Sequence, residues 1–376
     1  MDNFIVSARK YRPSTFKSVV GQDTITSTLK NAIKSGQVAQ AFLFCGPRGV
    51  GKTTCARIFA KALNCLHLTE DGEPCNECES CRLFNESTSF NIYELDAASN
   101  NSVDDIRALV DQVRISPQGA KYKVYIIDEV HMLSNQAFNA FLKTLEEPPS
   151  YAKFILATTE KHKIIPTILS RCQVYDFMRI KDDDIIKLLQ YVSTNENVVA
   201  DREALRIVAA KADGALRDAL SIFDQLVSFT GKNITYQAAI DNLNVLDVDN
   251  YFKMTDFLFS EDQTSSLLLL DDILNKGFDA QHLIAGLAAH FRNLLMARNH
   301  NTIRLMEVSD SVKAKFSEQA KKIDKMLLVR ALELANLCDF NYKLSNNKRL
   351  SVEICLMQIN ANYQYKAKAA VRQSRE

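Results

Sequence analysis

Four short apolar runs punctuate the first half of the chain: Ala41–Cys45, Ile92–Leu95, Val124–Ile127 and Phe154–Ala157. Each is rich in branched or aromatic residues and nearly continuous rather than alternating. That pattern predicts strands covered on both faces, as in a parallel sheet. Between them the spacing becomes helical. Ala56, Phe59, Ala60 and Leu63 share a face over Thr53–Asn64, and Phe138, Phe141, Leu142 and Leu145 do so over Asn135–Glu146. Pro148 and Pro149 stop the second helix. Strand alternating with helix predicts an α/β domain, which a fifth run at Val174–Phe177 closes. Beyond about residue 180, Asp182, Asp183 and Asp184 open helical patterns that continue to about residue 363 with little strand-like alternation. Stretches at Asn195–Asp201, Thr230–Thr235 and Leu246–Asn250 look like connectors. The expected organisation is an α/β core at 1–179, a small helical domain at 180–243, an all-α domain at 244–365 and a flexible tail at 366–376.

Composition adds exclusions. The 376 residues suit two or three domains and need no disulfide staples. With 47% hydrophobic and 24% charged residues, wholesale disorder is excluded. No apolar run approaches the ~18 residues of a membrane helix, and no leader pattern is visible at the N-terminus. The expected compartment is the cytoplasm, with reduced thiols and no membrane partner. The net charge of +1 gives no global sign of a nucleic-acid binder, yet residues 1–60 hold nine Lys/Arg against two acids, a net +7. Such an end suits a polyphosphate ligand or nucleic acid, although a solvated face would look the same.

The strongest motif is Gly46-Pro47-Arg48-Gly49-Val50-Gly51-Lys52-Thr53, a G-x-x-x-x-G-K-[ST] loop between a predicted strand and a predicted helix. Its glycines let backbone N–H groups cradle phosphate oxygens, and the helix N-terminus adds positive potential. Lys52 neutralises the β- and γ-phosphates, the Thr53 hydroxyl ligates Mg²⁺, and Thr54 follows within the same ATP-binding turn. A second signal is Asp128-Glu129 at the end of Val124–Ile127. Alone it reads as a solvated turn. Behind a P-loop, Asp128 serves Mg²⁺ and Glu129 polarises a water for attack on the γ-phosphate.

Cys65, Cys75, Cys78 and Cys81 form two C-x-x-C steps sharing Cys78, with one thiol upstream. Four such thiolates suit tetrahedral, structural Zn²⁺. An iron–sulfur cluster is the alternative, but ferredoxin-type spacing is missing. Cys45, Cys55, Cys172, Cys338 and Cys355 read as small buried hydrophobes. Thr158-Thr159 ends the strand after the one bearing Asp128, and either hydroxyl could feel the γ-phosphate. By spacing alone Arg171, in Ser170-Arg171-Cys172, and Arg217, in Gly214-Ala215-Leu216-Arg217-Asp218, are surface or salt-bridge residues.

The opening Ala8-Arg9-Lys10-Tyr11-Arg12-Pro13, then Phe16 and Val20-Gly21-Gln22, resembles the start of clamp-loader ATPases of the AAA+ superfamily. The P-loop, Asp128–His131, Ser170–Cys172 and Gly214–Asp218 follow in that family's order, and the four-cysteine insertion resembles that of bacterial clamp-loader motor subunits. The resemblance implies an AAA+ core, a helical lid and a helical collar that holds a pentameric ring. It implies that Ala8, Tyr11, Arg12, Pro13, Val19 and Val20 line adenine and ribose. Thr158 is implied as sensor 1, with Thr159 a rival, Arg217 as sensor 2, and Arg171 as an arginine finger acting on a neighbouring subunit's ATP. The implied partners are delta and delta-prime type subunits, further copies of the chain, the sliding clamp and primer–template DNA, within a replicative polymerase complex. No polymerase site is expected in the chain itself. Longer family members carry further C-terminal domains, and the chain is expected to be a short form or part of a longer one. Two rival readings are another AAA+ ATPase of DNA transactions, in branch migration or initiation, and a non-hydrolysing scaffold.

Overall fold

The computed structural model describes residues 5–243, 246–260, 262–306, 308 and 310–373. The chain forms two compact units, Met1–Ala239 and Ile240–Glu376, which divide within the helix Tyr236–Leu243. The boundary expected at 179/180 therefore lies inside the first unit.

A parallel five-stranded sheet in the order β2-β3-β4-β1-β5 organises the first unit. The strands are β1 (Ala41–Cys45), β2 (Ile92–Asp96), β3 (Lys123–Asp128), β4 (Ala152–Thr158) and β5 (Gln173–Asp176). β1 pairs with β4 on one side (Cys45 opposite Thr158) and with β5 on the other (Cys45 opposite Asp176), while Asp96 of β2 lies opposite Asp128 of β3. The continuous apolar runs have a simple cause. Phe42, Phe44, Val124, Ile126 and Ile155 enter one core layer, packed with Phe59 and Leu29, and Ala41, Leu43, Tyr125, Ile127 and Leu156 enter the other, packed with Phe141 and Ile106. Alternate residues thus point to opposite faces, and both faces are dry.

Helices cover the sheet. Lys52–Leu63 follows the P-loop and Asn135–Glu146 follows β3. The latter starts where Ser134 caps it, its hydroxyl oxygen accepting from Ala137 N–H at 3.2 Å. Three further helices were not read from the sequence: Asp23–Ser35, Glu79–Asn85 and Val103–Val113. Ser102 and Asp105 form a capping box at the last of these.

The rest of this unit is helical: Asp182–Asn195, Arg202–Ala212 and Leu216–Thr230. Asp182, Asp183 and Asp184 fall in the first turn of their helix, where acids oppose the positive helix end. A two-residue parallel pair, β6 (Val199–Ala200) with β7 (Asn233–Ile234), ties the two expected connectors together. Gly214 and Ala215 precede the helix that carries Arg217.

Among the described residues the regular structure of the second unit is helical, with one 3-10 turn at Ile303–Leu305. The last helix is Lys348–Gln373, so the segment from 366, expected to be a flexible tail, is helical through Gln373; residues 374–376 lie outside the described residues. Its core gathers Leu283, Leu287, Phe291, Leu328, Ala331 and Leu356. His290 is buried there (3% exposed) with Nε2 3.0 Å from Gln319 Oε1.

Candidate functional site

The C-terminal ends of β1, β3 and β4 meet above the P-loop, where open α/β sheets bind ligands. Gly46, Gly49 and Gly51 all have positive φ (145°, 76° and 101°). At Gly46 a Cβ would lie 2.4 Å from the Phe177 carbonyl oxygen, so a side chain cannot be accommodated. The loop leads into Lys52–Leu63, and Lys52 is 5% exposed. Its Nζ donates to the Gly46 and Pro47 carbonyls at 2.9 and 2.8 Å. Burial pushes the Lys52 pKa below its ordinary value, and the Glu129 and Asp128 carboxylates work against that.

Thr53 Oγ1 donates to Asp128 Oδ2 at 2.6 Å. The other oxygen, Asp128 Oδ1, accepts from Glu129 N–H at 2.9 Å. Glu129 sits in the left-handed region, and its Oε2 accepts from Thr159 N–H (3.2 Å) and Thr159 Oγ1 (2.9 Å). Thr158 is fully buried, its hydroxyl 3.0 Å from His131 Nδ1 and accepting from Glu160 N–H at 3.0 Å.

These groups border a cavity of 640 Å³. Its lining takes Ala8, Tyr11, Arg12, Pro13, Val19 and Val20 from the N-terminal segment, Arg48–Thr54 from the P-loop and the helix it opens, Asp128 and Glu129 from the end of β3, and Arg217 from the helix Leu216–Thr230. Gly46 and Pro47 serve the site as acceptors for Lys52. Thr158 and Arg171 are not among the cavity-lining residues. Arg171 instead donates to the Thr167 carbonyl and to Glu146 Oε1, both at 2.8 Å, on the surface. Sequence reasoning missed Val6, Asp96, Ile180, Leu216 and Leu220 in the lining. Asp96 is one residue past the predicted strand end, and only the β2–β3 register places it opposite Asp128. Gln22, 3% exposed, donates from Nε2 to the Met178 carbonyl at 2.7 Å, linking the segment that follows Val20 to the chain leaving β5.

The N-terminal wall is pinned from the helical part. Ser7 N–H donates to Asp224 Oδ2 at 2.7 Å, Lys10 Nζ pairs with Glu196 Oε1 at 2.6 Å, and the Tyr11 hydroxyl donates to the same carboxylate. Burial and the Glu196 carboxylate both hold the Tyr11 hydroxyl well above its usual pKa.

A separate cluster joins Cys65, Cys75, Cys78 and Cys81, whose sulfurs all lie within 4.8 Å of one another. Cys65 Sγ is 3.5 Å from Cys75 Sγ and 4.0 Å from Cys78 Sγ, and Cys75 Sγ is 4.0 Å from Cys81 Sγ. Four thiolates at zinc–sulfur bonds of ~2.3 Å stand about 3.8 Å apart, so the donor set fits a tetrahedral ion. The N–H groups of Cys75 and Cys78 point at Cys65 Sγ and Cys75 Sγ, each at 3.3 Å, as suits thiolates. Burial pushes the Cys65 and Cys81 thiols up. At Cys78 burial also raises the pKa, but N–H groups and neighbouring thiols outweigh it and bring it down to about 6.

Against known proteins, residues 21–181 match the family model of the DNA polymerase III delta subunit, and residues 184–232 match that of the DNA polymerase III clamp loader subunit ATPase lid domain. The chain is 34% identical over 360 residues to the DNA polymerase III subunit gamma of Buchnera aphidicola subsp. Schizaphis graminum, covering 95% of this chain and 98% of that protein. The chain belongs to the DNA polymerase III gamma/tau family. It is also 40% identical over 351 residues to the tau subunit of Bacillus subtilis (93% of this chain) and 44% identical over 268 residues to the tau/gamma subunit of Haemophilus influenzae (71% of this chain). It spans 62% and 38% of the lengths of those two gamma/tau relatives. The second of the two family matches is to the lid of an ATPase within a clamp loader subunit. Among the described residues no helix is long and apolar enough to cross a membrane.

Proposed function

We propose that this chain is the ATP-hydrolysing motor subunit of a replicative clamp loader, working with delta and delta-prime type subunits and further copies of itself to open a sliding clamp and place it on primer–template DNA. The observation that carries the reading is that Lys52, the hydrogen-bonded Thr53–Asp128 pair and Glu129 line the same cavity. Lys52 opposes phosphate charge. Thr53 and Asp128 would hold Mg²⁺, which draws charge from the β- and γ-phosphates. Glu129 orients and polarises the attacking water, while the N–H groups of the P-loop grip phosphate oxygens. Thr159 positions Glu129, and Thr158 supports it through His131. Arg217 meets the nucleotide from the lid at 180–243. Arg171, outside the cavity of its own chain, serves a neighbour's ATP. The helices from 244 to 365 form the collar. The four cysteines hold structural Zn²⁺, and the expected compartment is the cytoplasm.

The test is ATP binding and turnover, alone and with the partner subunits, clamp and primed DNA. Lys52→Ala abolishes nucleotide binding. Arg171→Ala retains it but lowers turnover of the assembled complex by about 10³ or more. Wild-type turnover that no partner or DNA stimulates would overturn the loader reading.

A further inference from the structure

The four-cysteine segment has contacts that its own metal chemistry does not need. Glu73, between the first two cysteines, is 9% exposed. Its carboxylate reaches across to the N-terminal wall of the cavity: Oε2 accepts from Phe16 N–H at 2.7 Å, and Oε1 from Lys17 N–H at 3.0 Å and Lys30 Nζ at 3.4 Å. These N–H groups open the 3-10 turn Phe16–Ser18, where no backbone carbonyl within the turn can serve them. Immediately beyond that turn, Val19 and Val20 enter the cavity lining. Phe16 itself is 1% exposed in the sheet core, so the turn is anchored by an apolar plug and by one carboxylate.

The position of Glu73 is set by its own turn. Thr69 N–H donates to the Glu73 carbonyl and Glu73 N–H to Thr69 Oγ1, both at 3.1 Å. Gly72, at φ 78°, lies against the helix Asp23–Ser35, where a Cβ would come within 3.2 Å of Lys34 Cε. On the other side Lys61, near the end of the P-loop helix, donates to Asn76 and Asn85. The segment is thus clipped to two helices of the nucleotide domain, and Glu73 is its reach toward the site.

We infer that the four-cysteine segment braces the base-side wall of the nucleotide cavity, with Glu73 as the positioning residue that fixes the Phe16–Val20 strip. The inference rests on the reading of that cavity as an adenine-nucleotide site. Because the strip faces base and ribose whereas the P-loop faces phosphate, the brace governs one part of the ligand and not the other.

The experiment measures Kd for ATP and for inorganic tripolyphosphate, with the full chain in its metal-loaded form. Glu73→Ala weakens ATP by about tenfold, the worth of charge-assisted hydrogen bonds, and leaves tripolyphosphate within about twofold. Glu73→Gln, which keeps an acceptor oxygen, recovers part of the loss and provides the readout if the alanine variant does not fold. Removing the metal with a zinc-selective chelator weakens ATP in the wild type and adds nothing in Glu73→Ala. Unchanged ATP affinity in both variants, or equal weakening of both ligands, overturns the brace. Retained ATP binding in Lys52→Ala would instead overturn the nucleotide reading itself.

Discussion

Glu129 is held in a left-handed backbone conformation (φ 46°) that non-glycine residues seldom adopt, immediately after the strand that delivers Asp128. The turn swings its carboxylate sideways onto Thr159 rather than leaving it along the strand axis. Thr159→Val removes one of the two donors to Oε2 and keeps the N–H. On the role proposed for Glu129, turnover then falls about tenfold with ATP affinity unchanged, because orientation of the attacking water changes and ground-state binding does not. Parallel measurement of kcat and of ATP Kd checks this, and a loss confined to Kd would contradict it. The two threonines were indistinguishable in the sequence since both follow the same apolar run. Only the direction of each side chain separates them: one is buried against His131, the other reaches Glu129. Glu73 carried no signal at all, because its partners lie 56 and 57 positions away.

At the level of elements, the strands were legible because both of their faces are apolar, which leaves uninterrupted runs. β1 runs over Ala41–Cys45 as expected, but the starts of β3 and β4 were not legible. Lys123 and Lys153 lie inside β3 and β4, 3% and 5% exposed, and look like loop residues until their Nζ groups are seen donating to the Gln112 and Val38 carbonyls at 3.0 and 2.9 Å. The helix Asp23–Ser35 escaped notice because few of its positions, Ile25 and Leu29 among them, are both apolar and buried. β6 and β7 are too short to show alternation. The cysteine spacing, by contrast, named a set that the fold brings together. Metal analysis of the purified chain should give about one zinc per molecule. Cys78→Ser should lose it and lower the melting temperature of the unit Met1–Ala239; a fully folded, metal-free wild type would refute the site.

Across the whole molecule, the cationic N-terminal sixty residues proved informative where net charge was not. Arg12, Arg48 and Lys52 from that stretch all border one cavity, joined by Arg217. The second unit was legible only as helices, since its polar specificity rests on buried contacts such as that of His290. Gln319 gives its Nε2 to the Phe252 carbonyl and Asp256 Oδ1 at 2.9 and 2.7 Å, so its oxygen accepts from a neutral His290 Nε2–H. Burial lowers the His290 pKa to about 4, with Gln319 and Asp256 opposing. As pH falls from about 6.5 toward 4, the unfolded chain takes up a proton that the folded one resists, so this unit loses up to roughly 3 kcal/mol, and below pH 4 the loss levels off. Urea unfolding at pH 7 and pH 5 should show the decline, and His290→Phe should flatten it. The strand order has a further consequence, for biosynthesis. β1 leaves the ribosome before the other strands of its sheet, yet its neighbours are β4 and β5, the last two of the sheet. Until residue 158 has emerged, the sequence Ala-Phe-Leu-Phe-Cys has no partner strand on either side, while β2 and β3 can already pair with each other. The nascent P-loop strand therefore waits exposed through more than a hundred residues of translation, an interval in which a chaperone, or another unfinished chain, can reach it first.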